Sequence, residues 1–333
     1  MIRFKRQLSD KAFEYLQNDG QFIIPEIKSV RKDLPFILDI QLRENDQLMV
    51  YMGTTCLLTV KINIKKKELK CSAYITYSDP FLRTYKFTDP PRGKIAVYLQ
   101  DTITKVHSKY FNNKMEGYYQ NMICFKYGAQ ADPNAPFTII DRECVIGHDS
   151  DEKKTKLIDP IRKKYQSIKD RLQEGNPRKW GKKASDEIPE NGKKRKKEFG
   201  DELDILGIDK DLNLLCIELK HGSNSGIHWS PLQVAVYKEL YSDDNLLSFL
   251  FNDIKILVEQ KIILKLLPLH LDSILFKKDR FNSVKSFLVI GAPEHTSPAT
   301  WGKMKEVINE NSTDLTCPII VVDENGVIAN KTI

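Results

Sequence analysis

Asp204, Glu218 and Lys220 interrupt an otherwise apolar run, "ELDILGIDKDLNLLCIELKHG" at residues 202–222, which also carries Glu202. If residues 209–213 form a hairpin loop, Ile208 faces Leu214, Leu206 faces Cys216, Asp204 faces Glu218 and Glu202 faces Lys220. All eight share one face because strand side chains alternate. The other face, with Leu203, Ile205, Leu215, Ile217 and Leu219, is wholly apolar. A strand merely facing water would be polar along its whole length, whereas here the charge is confined to the end away from the turn.

Carboxylates opposed at about 5 Å between Cβ atoms repel each other, and each raises the other's pKa unless a cation neutralises the pair. Mg²⁺ takes oxygen ligands, and the expected protein ligands are Asp204, Glu218 and the backbone carbonyl of Leu219, with Mn²⁺ as a substitute. Lys220, two residues beyond Glu218 and on the same face, would orient an attacking water and stabilise charge developing on a phosphoryl group. Phosphodiester hydrolysis is the chemistry such a set suits. The competing reading is an ion-pair cluster at a sheet end, but desolvating such acids is costly, which argues against their chance retention beside an apolar hairpin.

The hairpin needs elements to hold it. After residue 145 the pattern predicts a helix over 155–175, the hairpin, a helix over 230–242, a core helix over 246–267, a strand over 283–293, a helix over 299–311, and a strand with a terminal turn over 317–330. Alternation of this kind gives a mixed sheet with helices on both faces. Before residue 145, short runs at 34–42, 47–53, 56–64 and 69–77 predict a half-exposed antiparallel sheet. The expected class is α/β (α+β), with a β-rich domain over 1–145 for recognition or regulation and a second domain over 146–333.

Charge is distributed unevenly. Residues 153–197 hold 17 Lys or Arg against 6 Asp or Glu, a local +11, so this segment more than accounts for the chain's net +7. Residues 176–200 within it read as a basic loop. Its run Lys193, Lys194, Arg195, Lys196 and Lys197 is a candidate polyanion contact, as are His221 and His228, with a solvated linker as the plainer alternative. Six scattered cysteines without a C-x-x-C pair speak against a disulfide scaffold or structural zinc and for a reducing cytoplasm. No signal peptide or membrane span is expected. Asp209 and Asp211 read as turn chemistry, and the "GHDSDE" stretch containing His148, Asp149 and Asp151 as a solvated turn.

Asp204, followed after a turn by Glu218-Leu219-Lys220 on an apolar strand, resembles the PD-(D/E)xK nuclease superfamily over roughly residues 198–240. Leu203 stands where the family name has proline. The resemblance implies a C-terminal restriction-endonuclease-like mixed sheet and a Mg²⁺-dependent endonuclease acting on DNA in restriction, defence or repair. It is similar above all to endonucleases of branched, mismatched or foreign DNA. By this resemblance Asp204 and Glu218 hold the metal, Lys220 assists hydrolysis, and Gln233 stands beside the site. From the residues alone, Gln233 reads equally as the end of a capping box begun by Ser230. Many family members add an upstream acid, for which Glu143, Asp159, Asp170, Glu174, Glu198 and Glu202 are candidates. Glu202 is expected instead to pair with Lys220. The alternative function is a nucleic-acid-binding subunit with a nuclease fold that is inactive or needs a partner. RNA as ligand, a homodimer and a protein partner all remain compatible with the sequence.

Overall fold

The computed structural model describes the chain apart from residues 1, 5, 31, 35, 74–84, 111–113, 149, 182–198, 200–201, 276–277, 311–316 and 332–333. It begins with β1 (Ile2–Arg3), α1 (Asp10–Gln17) and α2 (Ile23–Lys28), followed by β2 (Asp39–Arg43), β3 (Gln47–Met52), β4 (Thr55–Asn63), β5 (Glu68–Ala73) and β6 (Tyr85–Thr88). Next come α3 (Lys94–Tyr110), α4 (Glu116–Cys124), β7 (Phe137–Val145), β8 (Gly147–His148), α5 (Asp151–Gly175) and α6 (Pro177–Trp180). The hairpin strands β9 (Glu202–Asp209) and β10 (Leu214–His221) lead into α7 (Ser230–Tyr241), α8 (Asp244–Ile263) and α9 (His270–Leu275), and the chain continues through β11 (Val284–Gly291), α10 (Pro298–Glu310), β12 (Ile319–Val322) and β13 (Ile328–Lys331).

The architecture is mixed α/β. Strands β2 to β6 form a five-stranded antiparallel meander, and a six-stranded sheet runs in the order β13-β12-β11-β10-β9-β7. Its centre, β10-β11-β12, is parallel, because helices carry the chain back between these strands, and β9, β7 and β13 are antiparallel to their neighbours. The sheet draws on both sides of residue 145: β7, ahead of that point, pairs with β9. Among the described residues, the first 145 also hold four α-helices and a π-helical turn beside their strands. Hydrophobic spacing accounts for α3, where Ile95, Leu99, Ile103 and Val106 form one buried stripe. Among the described residues no helix is long and apolar enough to cross a membrane, and all six cysteines are free.

Several helix ends fall where the sequence signals them, and two do not. Ser150 accepts from the Lys153 N–H at 3.3 Å, so α5 starts one turn ahead of the expected residue 155, and the "GHDSDE" stretch is in part a helix cap. The Ser230–Gln233 capping box, one of the two readings of Gln233, is absent. A 3₁₀ turn at Ile227–Trp229 runs straight into α7, so Trp229 at the cap position has helical rather than extended backbone (φ −89°, ψ −11°) and Ser230 lies inside the helix.

The seam between the two sheets is ionic. Asp141 on β7 is fully buried and accepts from Arg43 on β2 at 2.8 Å, with Lys261 at 3.6 Å and Arg6 at 3.7 Å. Beside it, buried Arg142 donates to Asn121 Oδ1 at 2.7 Å and to the Gly53 carbonyl at 2.6 Å, and the guanidiniums of Arg142 and Arg43 lie 5.1 and 5.5 Å from the centre of the Tyr51 ring. Burial opposes the charge of Asp141, but Arg43, Lys261 and Arg6 hold its carboxyl well below the usual range. A depressed folded-state pKa gives stability that is present above the ordinary Asp value and lost as pH falls below it. Asp141→Asn deprives three buried cations, Arg43, Lys261 and Arg6, of their shared carboxylate and is expected to cost about 3–5 kcal/mol. Urea unfolding at neutral pH checks this, and a loss that fails to shrink on acidification contradicts it.

Candidate active site

The hairpin folds in the expected register, with Ile208 opposite Leu214 and Leu206 opposite Cys216, and the Asp209 carboxylate closes the turn on the N–H groups of Asp211 and Asn213. Its open end then splays. Pairing of β9 with β10 stops at Ile205–Ile217, while β9 continues along β7 to Glu202 and β10 continues along β11 to His221. Asp204 sits in the fork. Its Oδ2 accepts from the Leu219 N–H at 2.8 Å, taking a donor that the separating strand leaves behind.

Four oxygens from three residues of this fork and from α4 gather around one ammonium. Lys220 Nζ contacts Glu218 Oε1 directly, lies 3.4 Å from Asp204 Oδ2, donates to the Leu219 carbonyl at 2.9 Å, and stands 4.0 Å from Glu116 Oε1. Asp204 and Glu218 therefore turn toward each other from neighbouring strands. Glu116 was not among the acids expected from the sequence. It opens α4, whose Tyr119 and Ile123 pack on the apolar face of the hairpin, and its Oε2 accepts from the His221 N–H at 3.4 Å. Gln120, one helical turn on, bridges Glu143 Oε1 at 3.0 Å and the Asp204 carbonyl at 3.4 Å. Glu143 itself has a φ of 53°, a left-handed conformation that costs a non-glycine residue about 1–2 kcal/mol. The other upstream candidates are elsewhere: Asp159 pairs with Arg162, and Asp170 accepts from Gln166. Glu198 lies outside the described residues.

Three acids share this single ammonium, and the electrostatics follow from that imbalance. Burial raises the pKa of Glu218, and Asp204 raises it further. Burial likewise raises Asp204 and Glu116, against the pull of Lys220. For Lys220 burial works the other way, but Glu218, Asp204 and Glu116 together hold the ammonium well above its ordinary value. Glu218 is 0% exposed; its Oε1 makes an ion pair without hydrogen-bond geometry, and its Oε2 has no hydrogen-bond partner among the described residues. Among the described residues no group of three or more His, Cys, Asp or Glu forms a metal-ligating cluster. Two carboxylates and a carbonyl, with an orphaned buried oxygen, nonetheless fit a hard divalent cation that keeps water in its shell.

The imbalance has a thermodynamic consequence. Acids whose folded-state pKa is raised favour folding most at low pH and lose that contribution as pH rises through the raised values. Glu218→Gln removes one excess negative charge and leaves Lys220 paired with Asp204. In chelator at neutral pH it is expected to stabilise the protein by about 1–2 kcal/mol, roughly 1–3 °C in Tm, with the gain shrinking on acidification. An unchanged or lower Tm in a thermal melt contradicts this account of the cluster.

The remaining expected residues stand apart. Glu202 is not a partner of Lys220, whose ammonium is taken by Glu218, Asp204 and Glu116; the Glu202 carbonyl accepts from Tyr237 Oη instead. Gln233 donates to Tyr237 Oη at 3.0 Å and, among the described residues, to no atom of the acid cluster. His221 adjoins the cluster through its backbone, while its ring hydrogen-bonds Ser223 and stacks on His295 with centroids 5.6 Å apart. His228 is buried against Trp180 and Trp229, and burial with Lys303 and Lys169 pushes its pKa down to about 4, so the ring is neutral. Lys193, Lys194, Arg195, Lys196 and Lys197 lie outside the described residues. No family model, curated protein or solved structure matches the chain.

Proposed function

We propose that the protein is a metal-dependent endonuclease that hydrolyses phosphodiester bonds of DNA, with a restriction-endonuclease-like catalytic sheet of the PD-(D/E)xK type. One observation carries the reading: Asp204, Glu218 and the Leu219 carbonyl converge on a single point at a strand fork, with a fully buried carboxylate oxygen left unpartnered. Asp204, Glu218 and the Leu219 carbonyl would hold Mg²⁺ or Mn²⁺. When bound, such an ion polarises a phosphoryl oxygen and makes water more acidic.

The chain's own groups do the rest. Lys220 stays protonated at neutral pH because three acids surround it, so it works as a donor rather than as a base. Its N–H groups orient the incoming water and neutralise negative charge that builds on the phosphoryl oxygens. Glu116, partly exposed and with a raised pKa, takes the proton that the water loses as its oxygen bonds to phosphorus. One P–O bond to the leaving sugar oxygen breaks, and that oxygen is protonated from solvent.

Incubation with supercoiled plasmid, linear duplex, single-stranded DNA and RNA, with Mg²⁺ or with chelator, tests the reading. Nicking or linearisation of DNA with Mg²⁺ and none with chelator is the expected result. Intact substrates throughout, with Mn²⁺ tried as well, overturn it.

A further inference from the structure

A second cluster lies on the same face of the sheet as the acids. Glu218 and Lys220 are registered with Leu288 and Ile290 of β11, and those two residues pack in one core with Ile227 and Trp180. Around that core Trp180 and Trp229 stand 5.2 Å apart between centroids, with His228 4.8 Å from Trp229. Lys169 of α5 lies 5.6 Å from the Trp229 ring and 5.7 Å from Phe199, and Lys303 of α10 lies 5.8 Å from Trp180.

Neighbouring cations have acidic partners. Lys164 pairs with Glu239, Arg171 with Glu310 and Lys179 with Glu306. Lys169 and Lys303 have no carboxylate within ion-pair distance among the described residues, and burial lowers the pKa of Lys169, an effect that the neighbouring Asp170 offsets only in part. His228 Nε2, in a residue 8% exposed, also has no hydrogen-bond partner. Two ammoniums without a carboxylate partner, seated over aromatic faces, fit a polyanion whose phosphates supply the missing charge.

We propose that Lys169 and Lys303, framed by Trp180 and Trp229, bind the sugar-phosphate backbone of the nucleic acid that the carboxylate fork cleaves. The assignment of the substrate rests on the nuclease reading above. Distance supports one strand serving both places. Trp229, over which Lys169 sits, follows Lys220 by nine residues, at most about 32 Å of chain, and a strand advances about 3.4 Å per phosphate in B-form DNA. The patch therefore engages the backbone within roughly ten nucleotides of the scissile bond.

The test is fluorescence anisotropy with a labelled DNA duplex in chelator, titrated with salt. Lys169→Gln with Lys303→Gln is expected to flatten the slope of log K against log salt by roughly 1.8, about 0.9 for each lost phosphate contact. The Lys169→Arg, Lys303→Arg pair should keep the wild-type slope, and Lys303→Gln alone, on a half-exposed helix side chain, should show about half the change if the double variant folds poorly. An unchanged slope in a folded glutamine variant, or a wild type that binds no duplex, overturns the proposal and leaves the lysines as caps on the tryptophans. Asp204→Ala, assayed in parallel, separates the two readings. Binding that weakens as expected in a wild type that never cuts removes the nuclease reading alone, and cutting with an unchanged slope removes the patch alone.

Discussion

Lys220→Ala is expected to slow Mg²⁺-dependent cleavage of plasmid by roughly 10²–10³-fold, the effect of losing one preorganised donor at a developing charge, while leaving DNA affinity unchanged. The separation follows from placement. Lys220 spends its ammonium on Glu218, Asp204 and the Leu219 carbonyl, and its side chain is 17% exposed, so it adds little to capture of the backbone. The substitution also strips three acids of their counter-ion, so the variant should melt below wild type in chelator. Rates are therefore compared with Mg²⁺ present and well below the melting temperature. A rate within tenfold of wild type, or a loss that appears only in binding, contradicts the assignment of Lys220 to the chemistry.

Asp204→Ala should be at least as severe. Losing a cation ligand removes several kcal/mol of transition-state stabilisation, and at about 1.4 kcal/mol per tenfold this is roughly a thousandfold in rate. A readout independent of cleavage accompanies it. Wild-type protein at a divalent-ion concentration ten times the dissociation constant gains about 1.4 kcal/mol, a rise of roughly 2 °C in Tm. Ca²⁺ should produce the rise as Mg²⁺ does. In the alanine variant the rise should disappear, with little change in chelator, since Lys220 retains Glu218. Equal shifts in the two proteins mean that the ion binds elsewhere.

The hairpin was legible because a single rule, alternation along a strand, places Asp204, Glu218 and Lys220 together once the turn is fixed, and Asp209 fixes the turn locally. The splay of β9 from β10 was not. It depends on β7 and β11 each holding one of the two strands beyond the point where they part, which is a property of the whole sheet. Glu116 was hidden for a related reason: it comes from a short helix far upstream that reaches the site only through tertiary packing. Its one local trace is the polar pair Gln120 and Asn121 inside the apolar stretch "YYQNMICF", both fully buried and hydrogen-bonded. The triplet Asp141, Arg142 and Glu143 in the apolar run "FTIIDRECVI" left a similar trace for the ionic seam. Gln233 shows the opposite failure. Its spacing from Ser230 suits a cap, but the preceding 3₁₀ turn removes the extended residue that a capping box requires.

Anomalous diffraction from crystals grown with Mn²⁺ tests the central claim most directly. The expected result is a manganese peak bounded by the carboxylates of Asp204 and Glu218 and the carbonyl of Leu219, with the Lys220 ammonium withdrawn from the position between them. Manganese bound elsewhere, with Lys220 still closed on both acids, contradicts it.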